Sequence, residues 1–155
     1  IKKKTNQTYK INKRVNKNFA NEKKFGLHKI STYKNFAKKV ANSKIKLNKI
    51  FKNLTKKNKR IIGYGATAKS CTVLNYCKIK KGTIEYFYDT TSFKINKYLP
   101  GTKIKIKKYK ELSKKDADYV FLGAWNFKDE IFRKEKKFIK SGGKFITHIP
   151  IPKVL

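Results

Sequence analysis

The sequence has no methionine, three arginines, three prolines and two cysteines among its 155 residues, and nine acids stand against 42 bases. Each shortage excludes something. Without methionine, and with Ile at position 1, the chain reads as a piece of a longer protein. Cys71 and Cys77 are too few for a disulfide framework, and six residues apart on one helical pattern they are poorly placed to bridge. They read as a buried, reduced pair, and a cytoplasmic location follows by default. No apolar run approaches the ~18 residues of a membrane-crossing helix. No apolar leader opens the chain.

The scarcity of arginine decides how the formal charge of +33 is read. Of the 42 bases 39 are lysine, and Asn and Ile are also abundant, at 13 and 17 copies. Codons built from A and T alone can encode all three, so a biased genome is a sufficient cause. Arginine, the residue suited to bidentate phosphate and base contacts, is nearly absent. No nucleic-acid partner is therefore expected, and the lysines read as solvated surface.

The charge is unevenly spread. Residues 1–60 hold 21 bases and the single acid Glu22, whereas residues 61–155 hold 21 bases and eight acids. This predicts a boundary near Asn58, with a helical connector over 1–58 and an α/β domain over 59–155. Ile1–Thr5 reads as the end of a strand of an upstream domain. Val15–Phe25 reads as a short helix that Gly26 ends as a left-handed cap. Ser31 reads as the N-cap of a long amphipathic helix reaching about Lys57. Tyr33, Phe36, Ala37, Val40, Leu47, Ile50, Phe51 and Leu54 form its apolar stripe, with a possible bend at Ser43–Lys44. A membrane-surface helix is disfavoured, because the stripe is interrupted and has no Trp.

Beyond the boundary, strand and helix patterns alternate. Arg60–Tyr64 is a strand and Ala66–Tyr76 a helix with Thr67, Cys71 and Leu74 inward. Thr83–Asp89 is a strand, Thr90–Thr102 a loop with a Pro100-Gly101 turn, and Ile104–Ile106 an edge strand. Tyr109–Lys114 is a short helix, and Asp118–Ala124 is a continuous apolar strand of a central parallel kind. Phe127–Lys140 is a helix with Ile131, Phe132, Phe138 and Ile139 inward. Gly142-Gly143 ends it, and Lys144–Ile149 is the last strand. Strands separated by helices imply an α/β, Rossmann-like parallel sheet of about five strands, preceded by the long amphipathic helix.

The stretch that organises this pattern is R-I-I-G-Y-G-A-T-A-K-S at Arg60–Ser70. Gly63, Gly65 and Ala68 sit at the spacing of a Gly-rich turn between strand and helix, and the helix's free amides and positive pole form a natural phosphate seat.

Four blocks carry a family resemblance. G-Y-G-A-T-A-K-S at Gly63–Ser70 is followed by T-V-L-N-Y-C at Thr72–Cys77. K-Y-L-P-G-T at Lys97–Thr102 and A-W-N-F-K-D-E-I at Ala124–Ile131 come next, and G-G-K-F-I-T-H-I-P-I-P closes the chain. Upstream, K-K-F-G-L-H-K-I-S-T-Y is similar to the family's linker. Together they resemble the C-terminal part of the S-adenosylmethionine-dependent C-methyltransferases that act on nucleoside-diphosphate-linked deoxysugars. Three positions depart from the pattern. Ser70 and Asn96 stand where Gly is common, and His148 where Pro is usual.

The resemblance implies that methyl transfer belongs to a preceding domain, which would bind S-adenosylmethionine and supply the base. It places a zinc-binding Cys cluster further upstream still. No cofactor, metal or catalytic residue is then expected within these 155 residues, and no independent activity. The role left to this domain is to hold the nucleotide-linked sugar. Gly63, Tyr64, Gly65, Ala66, Lys69, Tyr98, Trp125 and Asn126 are the expected substrate-binding residues, with the upstream methyltransferase domain as partner. Lys69 supplies a charge for the diphosphate, Trp125 an aromatic face and Asn126 hydrogen bonds to sugar hydroxyls. Glu130 reads as a helix-surface acid and His148 as a structural histidine. Two rivals stay open. Asp89 lies where dinucleotide-binding sheets place a ribose-gripping carboxylate, which suggests an NAD-binding oxidoreductase domain. The basic helix suggests a non-catalytic module for an acidic partner.

Overall fold

The computed structural model describes residues 12–155. The strand expected over Ile1–Thr5 lies outside the described residues. The chain divides into two compact units, one reaching Ala41 and the other running from Asn42 to Leu155.

In the first unit, helix α1 spans Lys13–Phe25. Asn12 caps it, its Oδ1 accepting the Arg14 amide at 2.9 Å. Gly26 ends it in the left-handed conformation at φ 82°, as the sequence predicts. Helix α2, Ile30–Lys56, crosses from the first unit into the second. Ser31 lies inside its first turn and is not its cap. Thr32 instead donates its hydroxyl to the Gly26 carbonyl at 2.8 Å. The helix is unbroken through Ser43–Lys44. Its stripe is buried over one half only: Leu47, Phe51 and Leu54 are buried, whereas Tyr33 and Phe36 are exposed.

The second unit is built on a seven-stranded sheet. The strands are β1 (Ile61–Tyr64), β2 (Tyr86–Asp89), β3 (Tyr98–Leu99), β4 (Ile104–Lys108), β5 (Tyr119–Leu122), β6 (Lys144–Thr147) and β7 (Lys153–Val154). Their order is β3-β4-β2-β1-β5-β6-β7. The inner five are parallel, and they are the five that the alternation predicts. The outer two, β3 and β7, are two-residue antiparallel additions that the sequence reading missed. Such short strands carry almost no periodic signal. Because β3 pairs outside β4, the Ile104–Ile106 strand is not an edge strand.

Helix α3 (Ala68–Tyr76) connects β1 to β2, while α4 (Lys128–Lys134) and α5 (Lys136–Lys140) connect β5 to β6. One apolar layer joins Leu47, Phe51 and Leu54 of α2 to Leu74, Phe87 and Phe121. The other joins Ile131 and Phe138 to Ile62, Val120 and Phe145. The sheet is thus covered on both faces, as parallel sheets require.

Three helix predictions fail locally. Tyr109–Lys114 is not helical, because its backbone groups are claimed elsewhere. The Tyr109 amide donates to the Asp89 carbonyl at 3.0 Å, extending the β4 ladder. The Leu112 amide donates to Glu135 Oε2 at 3.1 Å. The Arg60 guanidinium donates to the Lys114 carbonyl at 2.8 Å and also reaches that of Lys115. The helix expected over Phe127–Lys140 is two helices, interrupted at Glu135 (φ −95°, ψ 25°). Ile139 is partly exposed, and Phe138 fills the core. On α3 the buried face is Ser70 and Leu74, with Cys71 only half-buried and Thr67 outside the helix as its cap.

Candidate functional site

The turn from β1 to α3 lies at the carboxyl edge of the parallel strands, where β1 separates β2 from β5 and crossovers leave in opposite directions. Open α/β sheets bind ligands at such switch points. Gly63 is buried within β1; a Cβ there would lie 2.3 Å from the Phe87 ring. Gly65 has φ +83°, and a Cβ would meet that of Ala124 at 2.7 Å. Both glycines therefore serve close approach, one to the core and one to the turn after β5.

The helix starts at Ala68, two residues later than the sequence suggests. Thr67 caps it, accepting the Ser70 amide at 3.1 Å, and Ser70 closes the reciprocal half of the capping box. The Ser70 hydroxyl also donates to the Gly65 carbonyl at 2.8 Å. Ser70, a departure from the family's glycine, is accommodated because position 123 has no side chain: a Cβ at Gly123 would lie 2.1 Å from Ser70 Oγ.

Asp89, at the end of β2, occupies part of the expected phosphate seat. Its Oδ2 accepts the Ala66 amide at 2.8 Å and its Oδ1 the Thr91 amide at 2.8 Å. Lys94 Nζ stands 3.5 Å from Oδ2 and donates to the Ala66 carbonyl at 3.0 Å. Burial alone would raise the Asp89 pKa, but hydrogen bonds from Thr91, the Lys94 charge and the Ala66 amide outweigh it and hold it below the ordinary value. The carboxylate is ionised and internally engaged.

After β5, the amides of Gly123 and Ala124 donate to the Tyr64 carbonyl at 2.9 and 3.3 Å. A short 3₁₀ turn over Trp125–Phe127 follows. Lys69 Nζ reaches Asn126 Oδ1 at 3.3 Å and sits 5.4 Å from the Trp125 ring centre. Gly65, Ala66, Lys69, Trp125 and Asn126 thus gather at one corner of the sheet. Tyr98 does not join them. It is on the outermost strand β3, 61% exposed, beside a separate groove with Pro100, Lys81 and Lys103.

Beside the corner opens a cleft of about 370 Å³. Tyr64, Tyr88, Tyr109 and Phe127 give it aromatic walls, and Lys94, Glu130 and Lys134 are among its charged lining groups. Glu135 is 1% exposed. Its Oε1 accepts the Tyr109 hydroxyl at 2.8 Å. Burial, reinforced by the Glu135 carboxylate, pushes the pKa of both Tyr64 and Tyr109 upward. Both phenols therefore stay protonated and act as hydrogen-bonding groups, not bases. Lys134 Nζ lies 3.7 Å from the centre of the Tyr109 ring.

Sequence reasoning missed Tyr109, Lys134 and Glu135. The available signals were a tyrosine directly after β4 and a lone acid inside the R-K-E-K-K run. Among the described residues, no group of three His, Cys, Asp or Glu is placed to hold a metal ion, and no helix is long and apolar enough to cross a membrane.

The model of the C-methyltransferase C-terminal domain matches residues 1–150. The chain belongs to this family. The C-methyltransferase NovU of Streptomyces niveus is 32% identical over 136 residues, which cover 88% of this chain and 32% of the relative. The chain thus spans about a third of the length of that curated relative. The cofactor that a C-methyltransferase family implies is S-adenosylmethionine. The donor set at this edge does not fit it. The carboxylate that would grip an adenosine ribose, Asp89, is engaged by two backbone amides.

Proposed function

We propose that this C-methyltransferase domain holds a nucleoside-diphosphate-linked deoxysugar for S-adenosylmethionine-dependent methylation, with the cofactor and the base supplied by a preceding domain. The observation that supports this reading best is the convergence at one edge of the sheet. The N-terminus of α3, carrying Lys69, meets the Trp125–Asn126 turn there. In this reading the Ala68 and Lys69 amides and the Lys69 ammonium face the diphosphate. Asn126 donates and accepts with sugar hydroxyls. Gly65 keeps the backbone low enough for close approach. Tyr98, on the far strand, serves this reading only through the preceding domain or not at all.

No step of the chemistry is assigned to this chain. Its residues bind and orient, and they leave the reacting carbon to the preceding domain. The 155 residues alone are then expected to transfer no methyl group to a nucleotide-sugar; detectable turnover would overturn that. Calorimetric titration with a dTDP-sugar and with NADH tests the ligand class. Binding of the dTDP-sugar, weakened about tenfold in Lys69→Ala, supports the reading. Preference for NADH would favour an oxidoreductase domain, and binding of neither a non-catalytic docking role.

A further inference from the structure

The corner and the cleft offer different chemistry. At the corner, the face of Trp125 is already approached by the Lys69 ammonium at 5.4 Å. In the cleft, aromatic surface is abundant. The Tyr64 and Tyr109 rings meet edge to face at 5.6 Å, and Tyr88 meets Tyr109 at 6.2 Å. Edge-to-face packing holds such rings in fixed planes. Phe127 stands at this wall with 56% of its surface exposed. The Lys134 ammonium already covers the Tyr109 ring at 3.7 Å and Tyr88 is buried, so the exposed Phe127 is the stacking surface without an occupant in the protein itself.

Size and polarity narrow the occupant. A cleft of about 370 Å³ is at the small end of ligand pockets. That suits one heterocycle and its pentose, not a complete nucleotide-sugar. Glu130 and Lys134 are one turn apart on α4 and both line the cleft. A carboxylate beside an ammonium matches an edge that carries an N–H donor next to a carbonyl or ring-nitrogen acceptor. Nucleobases present such edges; diphosphates and deoxysugars do not.

We propose that this cleft seats the planar base of the nucleotide. Phe127 stacks on the base beside Tyr64, and Glu130 and the Lys134 ammonium over Tyr109 read its polar edge. The diphosphate then runs toward Lys69 and Asn126. The proposal rests on the nucleotide-sugar reading above and assigns the ligand's two ends to two separate sets of side chains.

The test is calorimetry on the full-length chain with dTMP, UMP and GMP, each compared with ribose 5-phosphate, which has no base. At least one nucleotide should bind about tenfold or more tightly than ribose 5-phosphate. Phe127→Ala should abolish that advantage, while Lys69→Ala should weaken every ligand and leave the ratio intact. Lys134→Ala, on the exposed side of α4, provides a second variant that should reduce the ratio. If nucleotides bind with their advantage intact in both Phe127→Ala and Lys134→Ala, the base sits elsewhere; this inference falls and the nucleotide-sugar reading stands. If no nucleotide outperforms ribose 5-phosphate, the inference falls too. Failure of the dTDP-sugar to bind at all would remove the underlying reading.

Discussion

Two residues show how a single polar side chain is reassigned by its surroundings. Asp89 sits where a dinucleotide-binding sheet offers a carboxylate to a ribose, yet it spends both oxygens on the Ala66 and Thr91 amides and faces Lys94. It braces the glycine turn from within. His148 is the opposite case, a buried ring whose Nδ1 has no hydrogen-bond partner. It stacks on Phe121 with ring centres 5.4 Å apart, which accords with the structural role expected of it. Burial lowers its pKa to about 4. In the unfolded chain the imidazole titrates near ~6.5. Between those values the unfolded state binds more protons, so this histidine's burial costs stability as pH falls from ~6.5 toward ~4. Asp89 and Asp118, whose pKa values are lowered, withdraw their contributions only below ~3.9. His148→Phe keeps the stack and removes the titration. Its urea midpoint should therefore change less between pH 7 and pH 5 than the parent's. Equal changes in the two proteins would refute this.

At the scale of elements, α2 separates pattern from burial. Its stripe looks uniform in sequence, yet Phe51 is 1% exposed and Phe36 66%. Phe51 packs on Phe121 with ring centres 5.8 Å apart. Phe51→Ala should cost about 3–5 kcal/mol, the range for removing a buried aromatic ring. Phe36→Ala should stay within ~0.5 kcal/mol, as at an exposed site. Denaturant unfolding of both variants checks the contrast, and similar losses would contradict it. The same limit explains the other misplaced boundaries. Helical periodicity runs through Glu135, but this buried acid accepts from Tyr109 and Leu112, and the helix breaks around it. On α3 the spacing places Leu74 inward, as found, and Cys71 packs partly buried against the same core, but the spacing missed Ser70, which the capping box with Thr67 engages and which is fully buried. Asn96, where glycine is common in the family, holds φ 64°, a conformation that asparagine tolerates better than most residues.

At the scale of the molecule, charge dominates. The chain carries +33 with its nine acids already counted, and the four ion pairs among the described residues all use lysines of the second unit, Lys94, Lys110, Lys114 and Lys137. Such an excess works against the compact state through self-repulsion. Salt shortens the reach of that repulsion to ~10 Å at about 0.1 M. The melting temperature should therefore rise by about 5 °C between low salt and about 0.3 M NaCl. A flat or falling trend in a thermal melt would show that the lysines are spaced widely enough not to repel.

The sequence by itself determined the five parallel strands, the glycine turn after the first of them and the family, because each rests on local periodicity or on motif spacing along the chain. Only the tertiary structure decided what those residues face. It filled the Ala66 amide with Asp89, brought Lys69 to Trp125 and Asn126, kept Tyr98 on the far strand, and walled a cleft with Tyr64, Tyr88, Tyr109 and Phe127. The physical reason is that a hydrogen bond or a stacked ring joins residues tens of positions apart, and no repeat in the sequence encodes which distant partner will claim a given polar group.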